Sequence, residues 1–195
     1  MNYIIFDLEA TCWKNSREKI QEIIETGAVC LDENLEIVDD FSKYVKPEFN
    51  PVLSDFCEFL TSINQRDIES ALTFGKVLAV FEKWILSKGD IMLVSWGYFD
   101  KKQILRESSA KNYSGSIVEL LKEKHISLKH EFAKMRGIKP CGMAEALKIL
   151  NLPLDGIHHR ALDDAKNIAK IFKIIFPELK NWLEKRNRND LAKLI

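Results

Sequence analysis

Asp7 and Glu9 stand at i and i+2 at the end of a short apolar run, Tyr3 to Leu8. On a strand that spacing turns both side chains to one face. Two carboxylates held together in a half-buried place repel each other, and a shared cation is one resolution. Oxygen donors of this kind suit Mg²⁺ or Mn²⁺. Two solvated acids at a strand end are the plainer reading of this pair alone. Asp100 follows a second apolar run, Ile91 to Trp96, after Gly97, Tyr98 and Phe99, where a helix begins. By itself it reads as an acid at a helix start, favoured by the macrodipole.

The third group is His158-His159-Arg160-Ala161-Leu162-Asp163-Asp164. Helical steps from Asp164 land on Ile168, Ile171, Phe172 and Ile175, so Asp164 lies on an apolar stripe. Steps from Asp163 land on Asn167 and Lys170, the expected wet face. An acid on an apolar stripe costs several kcal/mol unless it is paired or metal-bound. A buried salt bridge and a metal shared with Asp7 would each meet that need. His159 sits just before the helix, where a loop can bring it to the same place. Either histidine alone reads as an ordinary loop residue.

These residues need elements to carry them. Tyr3 to Leu8 and Thr26 to Leu31 read as buried strands. A turn at Asp32, Glu33 and Asn34 leads into a third strand, Leu35 to Val45, which predicts an antiparallel meander. Helical spacing runs over Pro51 to Ile63 and Phe74 to Ser87, the latter ended by Gly89. Ile91 to Trp96 is a fourth strand, followed by a helix from about Phe99. A short fifth strand over Ile126 to Lys129 precedes a helix at Gly142 to Leu150. A long helix, Arg160 to Phe176, is expected to stop at Pro177. Residues 1–176 then form one domain. Residues 177–195 form a helical tail, amphipathic through Leu179, Trp182, Leu183, Leu191 and Leu194, packed on the same domain. Strands followed by alternating helices and strands predict an α/β chain with a mixed sheet flanked by helices. Several folds share that pattern.

The chain of 195 residues is long enough for one sizeable core. Its 29 Lys plus Arg balance its 29 Asp plus Glu, so any basic surface for nucleic acid must be local. Cys12, Cys30, Cys57 and Cys141 show no zinc-ligand spacing and read as small hydrophobes in a reduced cytosol. No leader-like segment or membrane-length apolar run occurs, so a cytoplasmic protein without membrane contact is expected.

Taken together, the three groups resemble a known family. Phe6-Asp7-Leu8-Glu9-Ala10-Thr11-Cys12, then Ser95-Trp96-Gly97-Tyr98-Phe99-Asp100, then His159 followed by Asp164, look like the three exonuclease motifs of the DEDDh superfamily. The Glu-Ala-Thr-Cys ending is similar to the branch of the histone-mRNA and enhanced-RNA-interference exonucleases and their bacterial relatives. So are Gln21 to Val29, Leu60 to Ile63, Gly142 to Leu147 and His159 to Ala169, so the likeness covers residues 3–176.

The resemblance implies an RNase H-like fold with a five-stranded mixed sheet. It implies Asp7, Glu9, Asp100 and Asp164 as metal-site acids for two divalent cations, Mg²⁺ or Mn²⁺, and His159 as general base. The activity implied is a 3′→5′ exonuclease releasing nucleoside 5′-monophosphates from single-stranded 3′ ends, RNA favoured over DNA. Glu9 and the backbone near Ala10 and Thr11 would receive the terminal 3′-OH. Trp13 and Phe99 could stack terminal bases or serve as core. Lys101, Lys102, Arg106 and Lys129 could meet phosphates or simply be solvated. Leu8, Phe99 and Ala161 depart from the branch's frequent Phe, Trp and Gly, and Phe99 bears on how a terminal base is held. The stem-loop substrate of the animal histone-mRNA enzymes is not carried over. A polymerase-associated proofreading exonuclease and a non-catalytic nucleic-acid-binding module are the alternatives.

Overall fold

A computed structural model describes residues 1–14 and 19–192, with side chains to residue 181. Its centre is a mixed sheet. Strands β1 (Asn2–Ala10), β2 (Ile23–Leu31) and β3 (Ile37–Lys46) form the expected antiparallel meander. Strand β5 (Ile91–Ser95) joins β1 in parallel, and β6 (His125–Ser127) joins β5 in parallel. A two-residue strand, β4 (Leu72–Thr73), pairs with β3, so the order is β4-β3-β2-β1-β5-β6. The sheet thus has six strands where five were expected. Two residues are too few to show a period of two, so β4 left no signal in the sequence.

The pleat of β1 sorts its residues onto two faces. Ile4, Phe6 and Leu8 enter one core, built with Phe81 and Ile85 of α3 (Phe74–Leu86). Ile5 enters the other, under α8 (Ala161–Ala192), with Ile168, Ile171 and Phe172. Asp7 and Glu9 share the parity of Ile5 and therefore point toward α8.

Around this sheet lie α1 (Asp55–Thr61), α2 (Gln65–Glu69), α4 (Phe99–Ala110), α5 (Ser116–Glu123), α6 (Leu128–Arg136) and α7 (Met143–Ile149). The expected helix over 51–63 is shorter. Ser54 caps α1 by accepting from the Cys57 N–H at 3.1 Å.

Two expectations for α8 fail. The helix does not stop at Pro177 but runs through it. Proline has no N–H to donate and costs about 3 kcal/mol inside a helix. Leu179, 1% exposed in the second core, anchors the chain beyond it. Asn167, expected on the wet face, is 0% exposed. Its side chain accepts from Asp155 N–H and donates to the carbonyls of Asp155 and Asp163, tying the preceding loop to the helix. The apolar positions of the tail at Trp182, Leu183, Leu191 and Leu194 lie outside the described side chains.

Candidate active site

Gly27 brings the site together. It lies opposite Asp7 across the β1–β2 ladder. A Cβ at Gly27 would fall 2.2 Å from the backbone of both Ala161 and Leu162. Only a residue without a side chain lets the first turn of α8 rest directly on β2. That approach sets Asp164 beside Asp7.

Glu25, two residues earlier on the same face and opposite Glu9, fixes the helix in place. It is 1% exposed. Its carboxylate accepts the Ala161 N–H at 2.9 Å, which caps α8, and accepts Arg160 Nη2 at 2.9 Å. The same Arg160 Nη2 also donates to the Tyr44 hydroxyl at 2.7 Å. The sequence pattern gave Glu25 and Gly27 no separate role. The available signal was an acid and a glycine inside an otherwise apolar strand.

Asp7, Glu9 and Asp164 each offer an oxygen, and these lie within 4.8 Å of one another. Asp100 stands on the wall of the same cavity, which has a volume of about 440 Å³. None of these four acids is neutralised by a lysine or arginine salt bridge among the described residues. Burial pushes the Asp7 carboxyl well above the usual range, aided by the charges of Asp100, Glu9 and Asp164. Burial, then Asp164 and Glu25, push Glu9 up to about 8. Asp100 rises to about 7 through burial, opposed by hydrogen bonds from its own N–H, the Ser95 hydroxyl and the Leu8 N–H. Asp164 rises to about 6, again mainly by burial, with the charge of His158 and the His159 N–H holding it back.

Asp164 Oδ2 accepts the His159 N–H at 3.0 Å, but its Oδ1 is buried with no hydrogen-bond partner. An orphaned buried carboxylate oxygen is costly, and a cation answers that cost. The donors are hard oxygens, so the set could hold a divalent metal ion.

His159 sits in a tight turn at φ 64°, with Nδ1 4.0 Å from Glu9 Oε1. Burial, then the charge of His158, lower its pKa, so the ring is neutral near pH 7. The other wall of the cavity carries Trp96, Phe99, Met143 and Lys129, its one lysine among the described lining residues. Phe99 is 47% exposed at that wall. Ala10, Thr11 and Trp13 are not part of this lining. Thr11 is buried, its Oγ1 accepting from Glu22 N–H at 2.9 Å, and the Trp13 ring meets the Lys19 ammonium at 5.0 Å. Lys101 donates to the Lys122 carbonyl and Arg106 to Gln103.

The Exonuclease (RNase_T) family model matches residues 4–172 of the chain. The chain belongs to this family. Over 190 residues it is 33% identical to ERI1 exoribonuclease 2 of Xenopus laevis, covering 86% of this chain and 27% of that protein. Over 179 residues it is 34% identical to 3′-5′ exoribonuclease 1 of Homo sapiens, covering 86% of this chain and 50% of that one. The chain thus spans between a quarter and a half of these curated relatives. The nuclease domain of 3′hExo, a DEDDh family member bound to rAMP, superimposes with a TM-score of 0.83 at 32% identity, over 91% of this chain and 92% of that one. The RNase H-like α/β fold expected from the motifs is therefore the fold observed. No helix among the described residues is long and apolar enough to cross a membrane.

Proposed function

We propose that this chain is a metal-dependent 3′→5′ exonuclease that trims single-stranded nucleic acid, RNA in preference to DNA, and releases nucleoside 5′-monophosphates. The observation that carries this is the meeting of Asp7, Glu9 and Asp164 within 4.8 Å, with His159 4.0 Å from Glu9, in a cavity that also holds Asp100. The names of the relatives, ERI1 exoribonuclease 2 and 3′-5′ exoribonuclease 1, support the preference for RNA, and the second supports the polarity.

Asp7, Glu9 and Asp164 would hold the metal, two Mg²⁺ or Mn²⁺ ions in this reading, with Asp100 contributing through water. When bound, such ions supply positive charge to the phosphate and make a water more acidic. The protein does the rest. The Nδ1 of His159 faces Glu9, which leaves Nε2 free to take the proton of the attacking water. The water oxygen bonds to phosphorus as the bond to the 3′ oxygen breaks, and that oxygen gains a proton as the new 3′ end. Phe99 at the cavity wall would stack the terminal base at about 1–3 kcal/mol, and Lys129 would meet its phosphate. Glu9 and the backbone near Ala10 would receive the 3′-OH, and Trp13 would stack a base beyond the cavity. A cytoplasmic location agrees with four free cysteines.

The test is a 5′-labelled single-stranded RNA and its DNA counterpart, incubated with Mg²⁺ or Mn²⁺, with EDTA and folded Asp7→Asn as controls. A ladder that shortens stepwise from the 3′ end, faster on RNA and slowed about 10²- to 10³-fold or more by the substitution, is expected. Internal cuts would make the chain an endonuclease. Binding without cleavage would make it a binding module.

A further inference from the structure

Beside the all-oxygen cluster lies a donor set of different chemistry. The rings of His158 and His159 stack with centroids 4.0 Å apart and planes 20° apart. One nitrogen from each, together with one oxygen of Asp164, lie within 4.8 Å of one another. His158 Nε2 is 3.8 Å from Asp164 Oδ2, too far for a hydrogen bond. Asp164 is 5% exposed, and its Oδ1 has no partner. His159 meets this carboxylate only through its backbone N–H, at Oδ2, and neither imidazole ring hydrogen-bonds to it. The turn carrying both rings is closed by Arg160 N–H donating to Ile157 O at 3.2 Å, and Arg160 is itself clamped by Glu25. The backbone that carries the pair is thereby held in place.

We infer that His158, His159 and Asp164 form a second metal site, selective for a borderline-soft divalent cation such as Zn²⁺, and that occupation of this site switches the exonuclease off. Two imidazoles and one carboxylate, with a fourth position open to water, are a common zinc donor set. Imidazole nitrogen favours Zn²⁺, whereas the oxygens of Asp7, Glu9 and Asp164 favour Mg²⁺ or Mn²⁺. Asp164 belongs to both sets, so the two occupants compete for it. A His159 ring that ligates zinc has lost the lone pair with which it would accept a proton. The inhibitory half of the proposal rests on the exonuclease reading; the binding half does not.

Calorimetric titration of the metal-free full chain with Zn²⁺, and separately with Mn²⁺, tests it in wild type, His158→Ala and His158→Cys. The loss of a ligand in His158→Ala is expected to weaken Zn²⁺ about tenfold or more while Mn²⁺ binding is unchanged. His158→Cys, which keeps a zinc ligand, is expected to retain Zn²⁺ binding. In Mg²⁺-driven trimming, the zinc concentration that halves the rate should rise in His158→Ala by the same factor. Equal zinc affinity in wild type and His158→Ala overturns the site. So does loss of both metals in both variants, which would make His158 a structural residue. Zinc binding that follows the expected pattern without inhibition of trimming overturns the switch. Wild-type protein that trims RNA in neither Mg²⁺ nor Mn²⁺ would refute the exonuclease reading and leave the zinc titration standing.

Discussion

Two groups of buried acids sit in this molecule, and their surroundings are opposite. Glu22, 0% exposed, accepts the N–H groups of Glu48, Phe49 and Asn50 at 2.7, 2.9 and 2.7 Å. Lys111 Nζ lies 2.9 Å from Glu22, from Glu48 and from Glu107. Glu107 also accepts the Ile23 N–H at 2.9 Å. Burial tends to raise Glu22, yet these bonds outweigh it and hold its pKa below the usual value. Around Asp7, Glu9, Asp100 and Asp164 burial wins, and every one of the four is raised. The first group is finished: each charge has its partner, and the network ties β2 and the 48–50 loop to α4. The second has no lysine or arginine counter-charge among the described residues. A buried acid marks function when the fold leaves it unpaired, and structure when the fold completes it.

Substitutions should separate the two groups by what they damage. The largest expected effect is on rate: His159→Ala should slow RNA trimming about 10²- to 10⁴-fold at neutral pH. Its melting temperature should hardly move, because the ring is half-exposed. A rate equal to wild type would remove His159 as the base. Lys111→Met should do the reverse. Removing one partner of a buried charge network costs about 3–5 kcal/mol of stability, read by urea denaturation, with activity per folded molecule retained. A loss below 1 kcal/mol, roughly that of a surface pair, would show that the network is solvated and the contrast false.

The smallest effect sharpens the comparison most, because its sign differs between Glu9 and Glu22. Glu9 titrates at about 8 when folded against an ordinary 4.5. Between those values the folded chain holds more protons than the unfolded one, so stability in EDTA should fall as pH rises through that window. Glu22 is shifted the other way, so its contribution is present above the ordinary carboxylate range and is lost as pH falls through its lowered value. Melting temperatures in EDTA should therefore decline toward pH 8, and Mg²⁺ or Mn²⁺ should restore more stability there than at pH 5. Asp7→Asn should flatten the alkaline decline. A cation effect independent of pH would mean that burial does not hold the four acids uncharged.

Several features were legible from local pattern. The Asp7–Glu9 pair announced a shared face, and β1 does turn both toward α8. The stripe of Ile168, Ile171 and Phe172 placed Asp164 on the buried side of its helix, where it is 5% exposed. Local rules failed where a distant contact outweighed them. Pro177 should have ended α8, but burial of Leu179 carries the helix on. Asn167 looked solvated, but its side chain secures the turn before the helix. Glu25 was invisible as a cap because its helix begins far along the chain, at Ala161.

The sequence by itself determined which residues carry candidate carboxylates and imidazoles, which face of their elements Asp7, Glu9 and Asp164 occupy, and the antiparallel meander that carries the first pair. Those properties follow from backbone periodicity, which is local. Only the tertiary structure decided that the acids meet. It did so through the bare backbone of Gly27, which lets α8 rest on β2, and through the Glu25–Arg160 clamp, which holds the helix there. It also decided which buried acids found partners and which did not. Distances between remote segments are set by packing and close approach, and no periodicity along the chain encodes them.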